Sequence, residues 1–449
     1  MSQKSKRSVS DLDANDTIMP DASPVKKTRG DRLQRMGTDP SRGRLEIPEP
    51  RKKTGQVFVF GNGDVGQLGL GDEMLERKRP MPLKTLEDEN IVDIVAGGIH
   101  TIAVTKEGKL WSWGCNDQGA LGRDGEEMEP GPIEGLDNVK VIKLACGDSI
   151  SLALTDDGKV YSWGSFRTDD GILGFSKEQK VQSKPALFTA LEKFTIVDIA
   201  AGTDHAMALT DEGHVYSWGD GKQFQLGRRI MERRKTNGLV PERLALRNII
   251  HIASGAYHSF ALNDKHELFT WGCNNFKQTG LSEEYGGRAP DVIESPTKLE
   301  TFTDGLIVKQ VDAGEHHTVV LLTNGHVYTV GRADSSQLGL PDTMLDSLEK
   351  QEDEMYHVER ESTHKRAIGL PTEVPNLSNV QQIVAGSNHT IAVTKDGKAY
   401  AWGFGESYQL GSGQDEDEKV PHLIEGQKIE GLKIHAAAAG GQHSVILAD

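Results

Sequence analysis

The feature that most constrains this chain is its self-similarity. The string Trp111-Ser112-Trp113-Gly114 recurs as Tyr161-Ser162-Trp163-Gly164, Tyr216-Ser217-Trp218-Gly219, Phe269-Thr270-Trp271-Gly272 and Tyr400-Ala401-Trp402-Gly403. Two degenerate copies end at Gly61 and Gly331, making seven, with successive glycines 53, 50, 55, 53, 59 and 72 residues apart. Each copy continues to a second anchor, which is Leu-Gly in six (Leu68-Gly69 is the first) and reduces to Gly280 in the fifth. A third anchor, such as Ala201-Gly202-Thr203-Asp204-His205, precedes a run of alternating small and apolar residues, a turn and the aromatic strand. Alternation, turn, alternation is the pattern of a β-hairpin.

About 50 residues holding four strand-sized runs make one propeller blade. The expected fold is therefore all-β: a seven-bladed β-propeller over residues 55–449, preceded by a tail over 1–54. The Ala/Gly-rich strand after the third anchor is expected nearest the crowded axis, with the aromatic strand further out. The first strand, Val57 to Phe60, is of the aromatic kind and the last, Ser444 to Leu447, of the axial kind. Each lacks a hairpin partner, so pairing the two ends closes the ring and removes exposed sheet edges.

Charge separates tail from ring. Residues 1–54 hold 13 Lys/Arg and 8 Asp/Glu, against 38 and 59 in the remainder, so a tail of +5 precedes a body of −21. A basic tail suits polyanions, and its Ser/Pro/Asp/Lys composition without apolar periodicity predicts disorder. The N-terminus is too polar for a signal peptide, and no apolar run approaches the roughly 20 residues of a membrane span. Cys115, Cys146 and Cys273 are odd in number and widely spaced, as expected of small buried residues in a reducing compartment. No motif suggests a cofactor or a resident metal.

Informative positions are those where the copies disagree. The aromatic-strand glycine and the Leu-Gly glycine lie eight residues apart in six copies but ten in the third, Gly164 to Gly174. Ser165, Phe166, Arg167, Thr168, Asp169, Asp170, Gly171 and Ile172 must therefore protrude, as a tolerated insertion or as a contact. The third anchor ends in His in six copies (His100, His205, His258, His317, His389, His443) and in Ile150 in the other. Such a repeated residue is read as a structural blade-to-blade hydrogen bond. The two positions before it vary freely and form one ring of side chains at a channel mouth, the candidate binding face. After Gly227 comes the densest basic run of the acidic ring, Arg228-Arg229-Ile230-Met231-Glu232-Arg233-Arg234-Lys235. An insertion over 341–368, dense in both charges, is expected to be a mobile surface loop.

These anchors are those of the repeat named after the regulator of chromosome condensation. The chain resembles that family of chromatin-bound nucleotide exchange factors for the small GTPase Ran over the whole ring. The likeness extends to non-repeat strings such as Gly61-Asn62-Gly63-Asp64-Val65-Gly66-Gln67-Leu68-Gly69, Trp163-Gly164-Ser165-Phe166-Arg167 and Gly413-Gln414-Asp415-Glu416-Asp417. The resemblance implies that the third-copy protrusion is a wedge against the nucleotide-binding region of Ran. It also implies that Asp148, Asp204 and His316, with Asp64 and Asn275 on neighbouring loops, serve exchange.

For the tail, the resemblance implies nuclear import through a receptor and contact with DNA through Lys4, Lys6, Arg7, Lys26, Lys27 and Arg29; the bland reading is a solvated tail. For Arg228, Arg229, Arg233, Arg234 and Lys235 it implies contact with the acidic patch of the nucleosome, against a solvated charged loop. No covalent chemistry is implied, since an exchange factor works by favouring the nucleotide-free GTPase. The competing reading is a propeller of the same repeat used only as an interaction scaffold.

Overall fold

A computed structural model describes residues 43–281, 290–302, 305–356 and 366–449. Among them are seven four-stranded antiparallel sheets, one per repeat, and one extra two-stranded hairpin. The first blade is composite: its strand Gln56–Asn62 pairs with His443–Ala448 (Val57 opposite Leu447, Phe60 opposite Ser444), so the chain's two ends close the ring as the strand types predict. One placement differs. The channel is lined by the strands before the third anchor, such as Ile91–Ala96 and Ile434–Ala439, and the His-bearing strands lie one place further out. The pre-anchor strands end in small residues, as in Ile434-His435-Ala436-Ala437-Ala438-Ala439, and so tolerate the axis best.

The anchors themselves form a closed circle of backbone hydrogen bonds. The amides of Gly98, Asp148, Thr203, Ala256, Glu315, Ser387 and Gly441 each donate to the next anchor, the last returning to Gly98 O at 2.8 Å. Each aromatic strand's glycine permits a close approach to that circle. Gly219 has φ +113°, and a Cβ there would lie 2.5 Å from Asp204 O, so neither the torsion nor the space admits a side chain.

One layer beneath, each anchor histidine reaches the next blade's hydroxyl: His100 to Ser151 at 3.1 Å, His205 to Ser259 at 2.8 Å, His258 to Thr318 at 2.8 Å, His317 to Thr390 at 3.0 Å, His389 to Ser444 at 2.9 Å and His443 to Thr101 at 2.8 Å. The hydroxyls of Ser151, Ser259, Thr318 and Ser444 donate to a loop carbonyl, so they accept from an imidazole Nε2–H. Where Ile150 replaces the histidine, Ala206 replaces the hydroxyl, and both join one apolar cluster. Donor and acceptor are lost together because either alone would be a buried polar group without its partner. Ile150→His is accordingly expected to lower stability by roughly 3 kcal/mol. Adding Ala206→Ser should recover about 1 kcal/mol of that; strictly additive melting shifts would show that the two sites do not communicate.

Residues 43–54, placed with the tail by composition, lie on the ring. Leu45 N donates to Asp211 O at 2.8 Å, Arg44 pairs with Asp211 at 2.7 Å, Ile47 packs between two blade cores, Arg51 pairs with Asp93 at 3.2 Å and Lys53 with Asp449 at 2.8 Å. Residues 1–42 lie outside the described residues. The insertion expected as a loop over 341–368 contains a helix, Asp342–Tyr356. Leu345 buries against Leu338, Leu340 and Ile368, while Arg366 gathers Asp342, Asp346 and Glu349 from one helix face. Those three carboxylates thus share one arginine of the same insertion. Of the three free cysteines only Cys273 is fully buried.

Candidate functional site

The irregular third copy builds the most distinctive surface. Phe166–Thr168 and Gly171–Gly174 form the extra hairpin, projecting from the end of the aromatic strand Val160–Gly164. Its root is fixed. Ser165 and Phe166, expected as contact residues, are buried: Ser165 Oγ donates to Lys180 O at 2.9 Å, and Phe166 joins Ile150, Leu173, Ala206 and Trp218 in one core cluster. The hairpin, Ile150 and Ala206 are therefore one local solution, in which apolar packing replaces the histidine–hydroxyl link beneath the protrusion. Arg167, Asp169, Asp170 and Ile172 stay exposed, with Thr168 and Gly171 partly so. A rigid root means little ordering entropy is lost when the tip engages a partner.

Asp204 ties the channel rim to this hairpin. Its Oδ1 accepts the backbone N–H of Arg167 at 2.6 Å. Burial pushes its carboxyl up to about 7, opposed by that N–H and reinforced by Asp148 and Asp220. Asp148 is pushed up to about 6 by the enclosing rim, with Arg167 pulling the other way. Its side chain reaches solvent, which screens it in part despite the enclosing walls of the mouth. Gly98 makes room for it, since a Cβ there would lie 2.3 Å from Asp148 Oδ1. A cavity of about 190 Å³ opens between Gly98, Cys115, Asp117, Asp148, Arg167 and Ser387. Two carboxyls raised by burial at the mouth of the ring are costly alone and become favourable once a cation arrives.

A second group lies around His316, whose ring sits 4.5 Å from Phe276 and 6.3 Å from Tyr257. Gln278 Nε2 bridges Asn275 Oδ1 at 3.2 Å and His316 Nδ1 at 3.5 Å, so His316 and Asn275 belong to one cluster. Asp64 is exposed on the corresponding loop of the composite blade, its amide donating to Asn62 Oδ1 at 2.9 Å. Tyr257, Phe276 and Asp220 went unassigned in the sequence, although Tyr257 occupies one of the freely varying rim positions and so carried a signal.

The basic run divides. Arg229, Arg233 and Arg234 are exposed. Arg228 is buried, donating to Val240 O at 3.0 Å, and is removed from the candidate contacts. Its equivalent Arg123 follows Leu121-Gly122 and donates to Ser112 O and Glu129 O at 3.0 and 2.8 Å, so the repeat register marks both as structural. Lys235 pairs with Asp170 at 2.9 Å and Lys222 with Asp169, which places both lysines against the hairpin tip. Lys4, Lys6, Arg7, Lys26, Lys27 and Arg29 lie outside the described residues. Among the described residues no helix is long and apolar enough to cross a membrane.

Residues 56–446 match the model of the RCC1-like domain. The chain belongs to the RCC1-like family. Guanine nucleotide exchange factor SRM1 of Saccharomyces cerevisiae is 36% identical, covering 87% of this chain and 86% of that protein. Prp20p of the same yeast, described with its binding to Gsp1p and histones, superposes with a TM-score of 0.82 at 36% identity over 90% of this chain and 93% of that one. Yeast RCC1 (Prp20) bound to Kap60 superposes at 0.83, with 34% identity over 97% and 96%. The propeller read from the repeats is the RCC1-like ring.

Proposed function

We propose that this chain is a guanine-nucleotide exchange factor for Ran that works at chromatin in the nucleus. The observation that carries the reading is the rooted hairpin of the third blade, placed beside the acidic mouth formed by Asp148 and Asp204. The family and the relatives support it: SRM1 is named an exchange factor, and Prp20p is described with Gsp1p (Ran), histones and Kap60.

In this reading the exposed tip, Arg167 to Ile172, displaces the phosphate-binding loop of the GTPase, and the rim carboxylates hold the basic surface so freed. GDP and the exchange factor then weaken each other's binding reciprocally. Asp64, Asn275 and His316 extend the contact around the same mouth. No bond is made or broken. Arg229, Arg233 and Arg234 meet the nucleosome, and the basic clusters of the tail meet DNA and an import receptor.

Release of fluorescent GDP from Ran with catalytic amounts of the chain tests the proposal; release no faster than buffer alone would overturn it and leave the scaffold reading. The rim adds a pH signature. Asp204 and Asp148 bind cations as carboxylates, so exchange should fall as pH drops through about 7 to 6, the values to which burial raises them. Asp204→Asn keeps an acceptor for the Arg167 amide and removes the charge. It should slow exchange by about tenfold at pH 8 and flatten the pH profile, and an unaltered profile would remove Asp204 from the contact.

A further inference from the structure

The inserted helix Asp342–Tyr356 reaches the mouth through one ion pair, between the buried Glu352 and the partly exposed Lys277. Glu352 is 1% exposed although it sits on a densely charged helix. One carboxylate oxygen accepts the amides of Gly369 and Leu370 at 2.6 and 3.0 Å, and the other meets Lys277 Nζ at 2.5 Å. Gly369 leaves space for the pair, since a Cβ there would approach Lys277 Cδ to 3.0 Å. Lys277 sits in the neighbouring blade at φ +59°, a turn torsion shared by Phe224, Ser336 and Tyr408 at the same register of other blades. Its loop neighbours are Asn275, Phe276 and Gln278, the residues that assemble around His316, with the Arg332 guanidinium 5.1 Å from the Phe276 ring.

We propose that Glu352, through Lys277, is a positioning residue for exchange, and that the inserted helix is a strut setting the loop that carries Asn275 and packs on His316. The inference rests on the proposed exchange activity for its kinetic arm alone. A buried ion pair earns little as general stabilisation, because desolvation cancels most of its attraction. The geometry assigns it a different effect, since it joins an insertion to the loop of the neighbouring blade that carries Asn275 and Phe276.

Glu352→Gln in the full chain retains an oxygen for the Gly369 and Leu370 amides while removing the charge opposite Lys277; Lys277→Met removes the other partner. Each is expected to raise the KM for Ran·GDP about fivefold with kcat preserved, and the double variant should be no worse than either. Hydrogen exchange of the amides at 274–278 should quicken in both variants while those of the channel strands keep their protection. Unchanged protection at 274–278, or kinetic effects that add in the double variant, would overturn the inference. A wild-type chain that fails to release GDP would sink the exchange reading instead, and the hydrogen-exchange arm would still decide the strut.

Discussion

Replacing residues 168–171 with Asn-Gly is expected to reduce the acceleration of GDP release by roughly 100-fold while the ring stays folded. The substitution restores the eight-residue spacing of the other six copies and supplies a turn suited to a two-residue hairpin loop. It leaves Ser165, Phe166 and Leu173 in place, and these are the residues that bury in the core. The loss is large because, in the proposed mechanism, the tip supplies interactions that exist only with the nucleotide-free GTPase, and only such differential contacts shift the equilibrium. Affinity for a GTPase already stripped of nucleotide is the companion measurement. Retained acceleration with the shortened loop would place the active contact at the rim carboxylates alone.

Acid is expected to unfold the ring abruptly, at a pH where many domains are intact. Six anchor histidines are buried as neutral rings, pushed by burial to about 4 for His100 and about 3 for His205, His317, His389 and His443, with His258 also well below its ordinary value. Their contribution is complete above pH 6.5, where folded and unfolded chains are alike neutral. It is lost as pH falls from there towards the folded values, because only the unfolded chain then takes up protons. Asp148, Asp204 and Asp312, raised by burial to about 6, 7 and 7, work in the opposite sense and take up protons first in the folded ring. Six protons against three, with the exposed Asp148 discounted for solvent screening, leave three to four net, or about 4–5 kcal/mol per pH unit between pH 6 and 4. With total stability of about 5–15 kcal/mol, the ring should fail within two pH units of its plateau. Urea midpoints at pH 7, 5.5 and 4.5 measure this, and a flat series would show that the imidazoles ionise within the fold. His389→Gln, which keeps a donor for Ser444, should shift the transition to lower pH.

Much of this architecture was legible because repetition averages out local ambiguity. Seven glycines at matching register mark the ends of the aromatic strands, and the unpaired strand types at the two termini foretold the closure. The strand nearest the axis was misplaced by one position, because small residues occur in both inner strands and periodicity alone cannot rank them. The helix at Asp342–Tyr356 was hidden by its charge: Asp342, Asp346 and Glu349 look solvated until Arg366, at the far end of the insertion, is seen to collect them. For the site, the ten-residue spacing exposed the hairpin and the variable rim exposed Asp148 and Asp204. Burial was not readable from spacing. Ser165, Phe166 and Arg228 look like contact residues in a string and are structural in the ring, although Arg123 at the same register hinted at the last of these.

The pairing of Gln56–Asn62 with His443–Ala448 also sets the order of events during synthesis. The strand Gln56–Asn62 waits unpaired on one side until residues 443–448 leave the ribosome, some 380 residues later. At about 5–20 residues per second that is an interval of tens of seconds with an open β-edge. A chain that stops before His443–Ala448 therefore yields an arc rather than a weaker ring, sticky at both ends and suited to capture by chaperones or disposal.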